Sequence, residues 1–267
     1  MNIGAALGSA GIEPREARLL LAEACGYSEA RLLAHPEHEL PAEVAARFGE
    51  MAARRRAGEP VAYILGRREF HGLMLEVSPA VLIPRPETEL LVELALERRP
   101  RTVLDLGTGC GAIALAIKQG LPQARVVAVE ASVAALALAR RNAARHSIEI
   151  DFRQGAWFAP VARERFDLVV ANPPYVAQGD PHLVQGDLRF EPRTALVSGP
   201  DGLNAIREIV RQAPDHLAPA GTLLLEHGMG QDEAVRELLT ARGFASVSSW
   251  PDLAGIARVG GGRIKSD

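Results

Sequence analysis

Arg101-Thr102-Val103-Leu104-Asp105-Leu106-Gly107-Thr108-Gly109-Cys110-Gly111 is the stretch that decides the fold. Its first half is a short apolar run of the kind that parallel sheets bury on both faces. Its second half is a glycine-rich turn opening a helix at Ala112-Ile113-Ala114-Leu115-Ala116-Ile117. Glycines there permit positive φ and let a ligand come close to backbone. The next strand, Arg125-Val126-Val127-Ala128-Val129-Glu130, ends in a carboxylate able to accept hydrogen bonds from two ribose hydroxyls. Strand, glycine loop, helix, strand and acid in that order imply a nucleoside-containing ligand at a switch point of an open α/β sheet.

The loop alone is ambiguous, because Gly107-x-Gly109-x-x-Ala112 also satisfies a relaxed dinucleotide fingerprint. Asp105 favours S-adenosylmethionine over NAD, since it can neutralise the amino group of that sulfonium ligand and would repel a pyrophosphate. Cys110 stands at a helix start, which can make a thiol acidic, but it reads as a small loop residue. A helix follows from its N-cap Ser132 to His146, then a strand over 148–153 leads to Gly155-Ala156-Trp157-Phe158. Trp157 can wall an adenine there, or it can be an ordinary core tryptophan.

A second decisive stretch is Phe166-Asp167-Leu168-Val169-Val170-Ala171-Asn172-Pro173-Pro174-Tyr175. A buried strand stops at two prolines, which cannot donate to a ladder and hold the chain extended. The Asn172 amide oxygen and the Pro173 carbonyl become two acceptors beside the flat face of Tyr175. Such a site suits a planar group carrying an NH2. The lone pair of such a nitrogen is delocalised, and acceptors can align its hydrogens and stabilise charge developing on nitrogen. Together with the glycine loop, this favours methyl transfer to nitrogen.

The remainder is support. Residues 1–68 read as a small helical bundle for partner or substrate recognition. One helix opens at Pro14 and stops at Gly26, one is capped by Ser28, and a longer one runs from Pro41 to Gly58. Arg54-Arg55-Arg56 reads as a solvated helix end. Residues 69–80 read as a β-hairpin linker, with the apolar run after Glu59 leading into it, and 81–267 as the catalytic domain. Arg85, between Pro84 and Pro86, could face an anionic group or pair with Glu87 or Glu89. The long 176–201 connection is expected to cover the acceptor site. His227 at a strand end is a weak candidate for a general base. The sheet is completed by a terminal antiparallel pair, with Gly260-Gly261-Gly262 as a break in the last strand.

Composition excludes several classes. The 267-residue chain is 48% hydrophobic with a net charge of −3, which argues against electrostatic grip on DNA or other bare nucleic acid. Two cysteines without metal-ligand spacing imply neither a disulfide scaffold nor a zinc site. No apolar run suggests a membrane span, and the expectation is a cytoplasmic monomer.

The segments 105–111, Glu130, Trp157-Phe158 and 172–175 resemble class-I S-adenosylmethionine-dependent methyltransferases acting on amino nitrogen. Residues 84–90, 190–196, 223–228 and 252–259 narrow the resemblance, over essentially the whole chain, to the release factor glutamine methyltransferases of the HemK/PrmC family. It implies a seven-stranded Rossmann-like sheet with a helical N-terminal part, and methylation of the glutamine amide in the Gly-Gly-Gln motif of peptide-chain release factors. It implies cofactor contacts from Asp105, Gly107, Thr108, Gly109, Cys110, Gly111, Glu130, Trp157, Phe158 and Asn172. Substrate contacts would come from Asn172, Pro173, Pro174, Tyr175 and Arg85, with Asn172, Pro173 and Tyr175 as the catalytic set. Glu130 stands where many relatives have Asp, and Gly155-Ala156 where others carry an acid. Two alternatives remain at this point: methylation of an exocyclic amino group of a nucleobase, and a non-catalytic module that binds adenosine compounds.

Overall fold

The computed structural model describes residues 1–265; Ser266 and Asp267, the end of the expected 81–267 domain, lie outside the described residues. The chain forms two compact units: Met1–Arg67 with His182–Phe190, and Arg68–Pro181 with the residues from Glu191 onward. Among the described residues no helix is long and apolar enough to cross a membrane.

The first unit contains α1 (Ile3–Ser9), α2 (Pro14–Cys25), α3 (Glu29–Ala34), α4 (Ala42–Arg56) and α5 (Val61–Leu65). Pro14 sits in the first turn of α2, and Gly26 closes that helix at φ 71°. Ser28 caps α3 by accepting from the Arg31 amide. Ile3, Leu20, Leu21, Leu32 and Phe48 share the core of this unit. The run after Glu59 is helical rather than a lead-in to a strand. Pro60 precedes its first turn and Gly66, at φ 69°, closes it. The arginine run is also more than a solvated helix end. Arg55 is bonded to Glu16 and Asp187, Arg54 to Glu59, and Arg56 to the Ala10 carbonyl.

Strands β1 (Arg67–Phe70) and β2 (Leu73–Glu76) form a two-stranded sheet of their own. The second unit is built on seven strands: β3 (Thr102–Leu106), β4 (Arg125–Glu130), β5 (Asp151–Gln154), β6 (Phe166–Ala171), β7 (Leu217–Glu226), β8 (Ala245–Pro251) and β9 (Ala257–Arg263). Their order is β5-β4-β3-β6-β7-β9-β8, with β3 to β7 parallel and β9 antiparallel to both its neighbours. The helix α6 (Glu89–Glu97) precedes them, and those between them are α7 (Ala112–Gly120), α8 (Val133–His146), α9 (Arg193–Leu196), α10 (Asn204–His216) and α11 (Asp232–Ala241). The central strands are continuously apolar because both faces are covered, and Leu104, Val127, Val169 and Leu223 are fully buried. β5 begins three residues later than its apolar pattern suggests. Ser147 turns left-handed at φ 54° and the Ile148 amide folds back onto the Ala143 carbonyl, so Ile148 serves the end of α8.

Gly260, Gly261 and Gly262 do not break the last strand. They are its middle, paired to Leu225, Leu224 and Leu223 of β7. A Cβ on Gly261 would lie 2.6 Å from the Leu223 carbonyl oxygen, and one on Gly260 would lie 2.8 Å from Cγ1 of Val235 in α11. β9 is squeezed between two strands and under a helix, so bare backbone is what fits. Gly261→Val should therefore destabilise the fold by about 2–3 kcal/mol or more through overpacking. A melting temperature equal to that of the unaltered protein would show that the sheet relaxes around the added side chain.

Candidate functional site

The carboxyl ends of β3, β4 and β6 open into one cavity of about 490 Å³, within the size range of small-molecule sites. Its walls come from the glycine loop after β3, from Glu130 to Ser132 after β4, from Gly155-Ala156-Trp157, and from Asn172-Pro173-Pro174 after β6. Arg85 and Thr88 on one side, and Pro192 and Thr194 on the other, complete it. Of the site residues read from sequence, Gly107, Thr108, Gly109, Cys110, Glu130, Trp157, Arg85, Asn172, Pro173 and Pro174 meet there. Asp105, Gly111, Phe158 and Tyr175 do not line it.

The glycine loop is pinned to β4. The amides of Gly107 and Thr108 both donate to the Val129 carbonyl. Gly109, at φ 57°, points its own amide at Glu130 Oε2 at 2.9 Å, a conformation that Gly adopts without the cost of a side chain. Glu130 Oε1 accepts from the Ser132 amide at 2.8 Å. Each carboxylate oxygen has a further lone pair, so the group can still accept from a diol in the cavity.

Asp105 lies under the loop, fully buried, and its Oδ2 accepts from the Thr108 hydroxyl at 2.6 Å. Oδ1 is buried without a partner of hydrogen-bonding geometry. Burial pushes this carboxyl up to about 7, against the Thr108 hydrogen bond, which lowers it. A cation brought near would relieve the strain of ionising it. Cys110 is not acidic despite its place at a helix start, because burial pushes its thiol up to about 12.

Trp157 stands at φ 48°, an uncommon conformation for a bulky residue, and its ring faces the cavity. Non-glycine residues held there concentrate at ligand sites. Its neighbour Phe158 turns the other way, 1% exposed, and stacks on His216 with ring centroids 4.5 Å apart. Phe158 is thus part of the core, and Trp157 is the aromatic wall.

On the opposite side, the Asn172 side-chain amide donates to the Thr88 hydroxyl oxygen at 3.1 Å. Tyr175 packs against the core rather than onto the cavity. Its hydroxyl donates to Glu226 Oε1 at 3.3 Å, and its carbonyl accepts from the Gln231 side chain. Glu226 is 2% exposed, and burial pushes its carboxyl up to about 7, with Thr88, Tyr175 and Arg258 drawing it back. Arg85 pairs with neither Glu87 nor Glu89. It donates to both oxygens of Glu191, at 2.7 and 2.8 Å, and the Glu191 side chain is completely buried. A cation so neutralised is part of the wall rather than a seat for an anion. His227 is fully buried, outside the cavity, with its pKa lowered by burial, so a role as base gains no support.

Thr88, Glu191 and Glu226 were not assigned roles from sequence. Each lies within a stretch that carries the family resemblance, but only the tertiary fold shows what each one touches. Among the described residues no group of three or more His, Cys, Asp or Glu could hold a metal ion.

Comparison with known proteins gives the following. Residues 2–66 match the PrmC N-terminal domain and residues 86–190 the methyltransferase small domain. A release factor glutamine methyltransferase of Burkholderia pseudomallei is 52% identical, covering 95% of this chain and 93% of its own. One from Bordetella pertussis is 49% identical over 97% of both chains. Among solved structures, a methyltransferase from Pyrococcus furiosus superposes with a TM-score of 0.59 at 21% identity, covering 82% of this chain and 99% of that one.

Two buried carboxyls at the site have a consequence for stability. Asp105 and Glu226 both have folded pKa values of about 7, above their ordinary range near 4. Between those pH values the folded state holds protons that the unfolded state has released, so their contribution to stability falls as pH rises. Denaturant unfolding of the ligand-free protein should show its stability relative to Asp105→Asn/Glu226→Gln dropping between about pH 4 and 7. A difference independent of pH would mean that neither carboxyl is shifted.

Proposed function

The chain belongs to the release factor glutamine methyltransferases, and from that membership we propose how its own side chains carry the reaction. It is an S-adenosylmethionine-dependent protein-(glutamine-N5) methyltransferase. The observation that carries the assignment of roles is that one cavity holds both halves of the chemistry. The glycine loop, Glu130 and Trp157 form one part of its wall, and Asn172 and Pro173 another.

The residues at the first part fit the cofactor. Glu130 would accept from the ribose hydroxyls, Trp157 would cover the adenine, and the 107–110 backbone would approach the amino-acid portion closely. Asp105, beneath that loop, would supply the negative charge that offsets the amino group, acting through the floor rather than from the wall. When bound, the cofactor supplies a methyl group on a sulfonium.

At the second part, the Asn172 side-chain oxygen and the Pro173 carbonyl would each accept one hydrogen of the glutamine NH2. Those two bonds turn the nitrogen lone pair toward the incoming methyl and stabilise the positive charge that develops on nitrogen. Pro173 and Pro174 hold the backbone stiff, so the acceptors need little reorganisation during transfer. Tyr175 anchors the segment through Glu226 instead of forming the wall. No strong base is required, because the methylated amide nitrogen is acidic and its proton can leave to water.

The natural acceptor is the glutamine of a release factor's Gly-Gly-Gln motif, which places the enzyme's work in the cytoplasm. The helical unit at residues 1–67, which carries the PrmC N-terminal match, supplies recognition of the folded factor. A chain beginning at Arg67 should still bind cofactor but methylate the intact factor far more slowly. An equal rate on the intact factor would remove the recognition role.

Two measurements test the site. Glu130→Ala should weaken cofactor binding by roughly 1.5–3 kcal/mol, the scale of a hydrogen bond to a charged group, and unchanged calorimetric affinity would refute the placement. Asn172→Ala should lower the single-turnover rate by on the order of 100- to 1,000-fold, by analogy with lost oxyanion-hole donors, while the factor still binds. Asn172→Asp keeps an acceptor and should retain more of the rate. An Asn172→Ala enzyme near the unaltered rate would falsify the acceptor assignment.

A further inference from the structure

Asn142 is out of place by propensity. It stands in the second half of α8, where asparagine is a weaker helix former than its alanine neighbours. Its side chain is completely buried, which asparagine seldom is. The spacing along α8 shows what it serves. Ser132 and Ala135, at the start of the helix, line the cavity. Ala139, one turn on, lies against the glycine loop, where a Cβ on Gly111 would stand 3.4 Å from its own Cβ. Asn142 is the next residue on that face, since positions 135, 139 and 142 recur at helical spacing.

Three hydrogen bonds engage both ends of the amide. Oδ1 accepts from the Glu76 backbone amide at 2.7 Å. Nδ2 donates to the Glu76 carbonyl at 3.0 Å and to the Cys110 carbonyl at 2.9 Å. A peptide N–H only donates and a peptide carbonyl only accepts, so these partners fix the direction of the amide by themselves. They lie 66 and 32 positions away in the chain. Cys110 belongs to the glycine loop, between Gly109 at φ 57° and Gly111 at φ 89°, and a backbone so rich in glycine is soft unless it is bonded. β4 holds the loop from one side through Val129 and Glu130, and Asn142 holds it from the side of α8. Glu76 ends β2. From there the chain turns, with the Val81 amide donating to the Ser78 carbonyl, and Ala80, Val81 and Leu82 line the cavity.

We propose that Asn142 is a positioning residue for the cofactor: by bonding two backbones at once, it sets the glycine loop against the 80–82 wall and holds the cavity in the shape the cofactor fits. The proposal rests on the reading of the glycine loop as the cofactor's seat. Asn142 does not line the cavity, and it acts through the backbones of Cys110 and Glu76. Two other bonds join α8 to the same hairpin without involving the loop. Arg141 pairs with the Glu76 carboxylate at 2.7 Å, and His146 Nε2 lies 2.9 Å from the Met74 carbonyl oxygen. They separate an effect of the loop from an effect of the hairpin alone.

Calorimetric affinity for S-adenosylmethionine, thermal melting and steady-state kinetics with the full-length release factor are measured for Asn142→Ala, Asn142→Ser, Arg141→Ala and His146→Ala. Asn142→Ala should weaken cofactor affinity by about 10-fold, the scale of one or two neutral hydrogen bonds, and raise the cofactor KM to match. At saturating cofactor, kcat and the KM for the release factor should stay within about twofold of the unaltered enzyme, because the link does not involve the acceptor. Asn142→Ser, which returns one donor, should lose less affinity. Arg141→Ala and His146→Ala should keep theirs within about twofold, as surface bonds do. A side chain that only props the fold would lower the melting temperature and leave cofactor affinity, measured well below it, unchanged. That result overturns the proposal, as would a loss of equal size in Arg141→Ala or His146→Ala. If the Asn142 variants do not fold, hydrogen exchange of the unaltered protein decides. The Glu76 amide, bonded to Asn142 Oδ1, should slow by about fivefold or more with saturating cofactor, beyond any slowing in β8 at the far edge of the sheet, because coupling between two sites is reciprocal. Equal slowing in both places would overturn the link. Glu130→Ala is run in parallel: if its affinity is unchanged, the reading of the cofactor's seat fails and the proposal falls with it. If Glu130→Ala binds weakly while Asn142→Ala binds at full strength, only the role of Asn142 fails.

Discussion

Everything at the site depends on one topological constraint, the reversal of direction at β3. From β3 the chain steps to one side for β4 and β5, then returns to lay β6 on the other side. Parallel strands end in the same direction, so the segments following β3, β4 and β6 must leave the sheet at one place and diverge there. The gap between diverging connections is a cavity that no side chain of the sheet can fill. The glycine loop and Glu130 on one side, and Asn172 with its prolines on the other, face each other for that reason. The chemistry of two reactants meeting is thus built into the order of strands before any particular side chain is considered.

Holding those segments still requires polar groups in dry surroundings. Asp105 lies beneath the glycine loop and Glu226 lies behind Asn172, each almost without exposure and each with an oxygen lacking a partner. Desolvation raises both carboxyls toward neutral pH, so neither is a net source of stability in the ligand-free protein. What each one does is fix a hydroxyl: Thr108 in the first case and Tyr175 in the second. Arg85 and Glu191 do the same for the side wall, with a completely buried carboxylate held by one guanidinium. The sheet supplies the stability, and these buried acids draw on it to give direction to polar groups that would otherwise rotate.

The other edge of the sheet shows a constraint of a different kind. β9 is inserted between β7 and β8 after β8 has been laid down in sequence, so its middle is crowded by a strand on each side and by α11. Three successive glycines look like a break when read for propensity, because glycine weakens an isolated strand. In the folded sheet the absence of Cβ is what allows the strand to exist there. Cys110 illustrates the same gap between local and tertiary reading. A helix start lowers a thiol's pKa when water or a cation shares the site, and here burial reverses the sign.

The sequence by itself determined an open α/β sheet with a terminal antiparallel pair, the glycine loop with Glu130, and the Asn172-Pro173-Pro174 segment. These are legible because each is written in a contiguous stretch: apolar runs of strand length, glycines at a turn, and prolines that stop a ladder. The tertiary structure alone decided which side chains speak to one another across the chain. Arg85 meets Glu191 from 106 positions away, and Asn172 meets Thr88 from 84 positions away. Trp157 and Phe158, adjacent in sequence, part company because a left-handed turn at Trp157 sends one ring to the cavity and leaves the other to stack in the core. Burial, which sets the ionisation of Asp105, Cys110 and Glu226, is a property of everything packed around a residue rather than of its neighbours in the chain. No local pattern encodes it, and only the folded molecule fixes it.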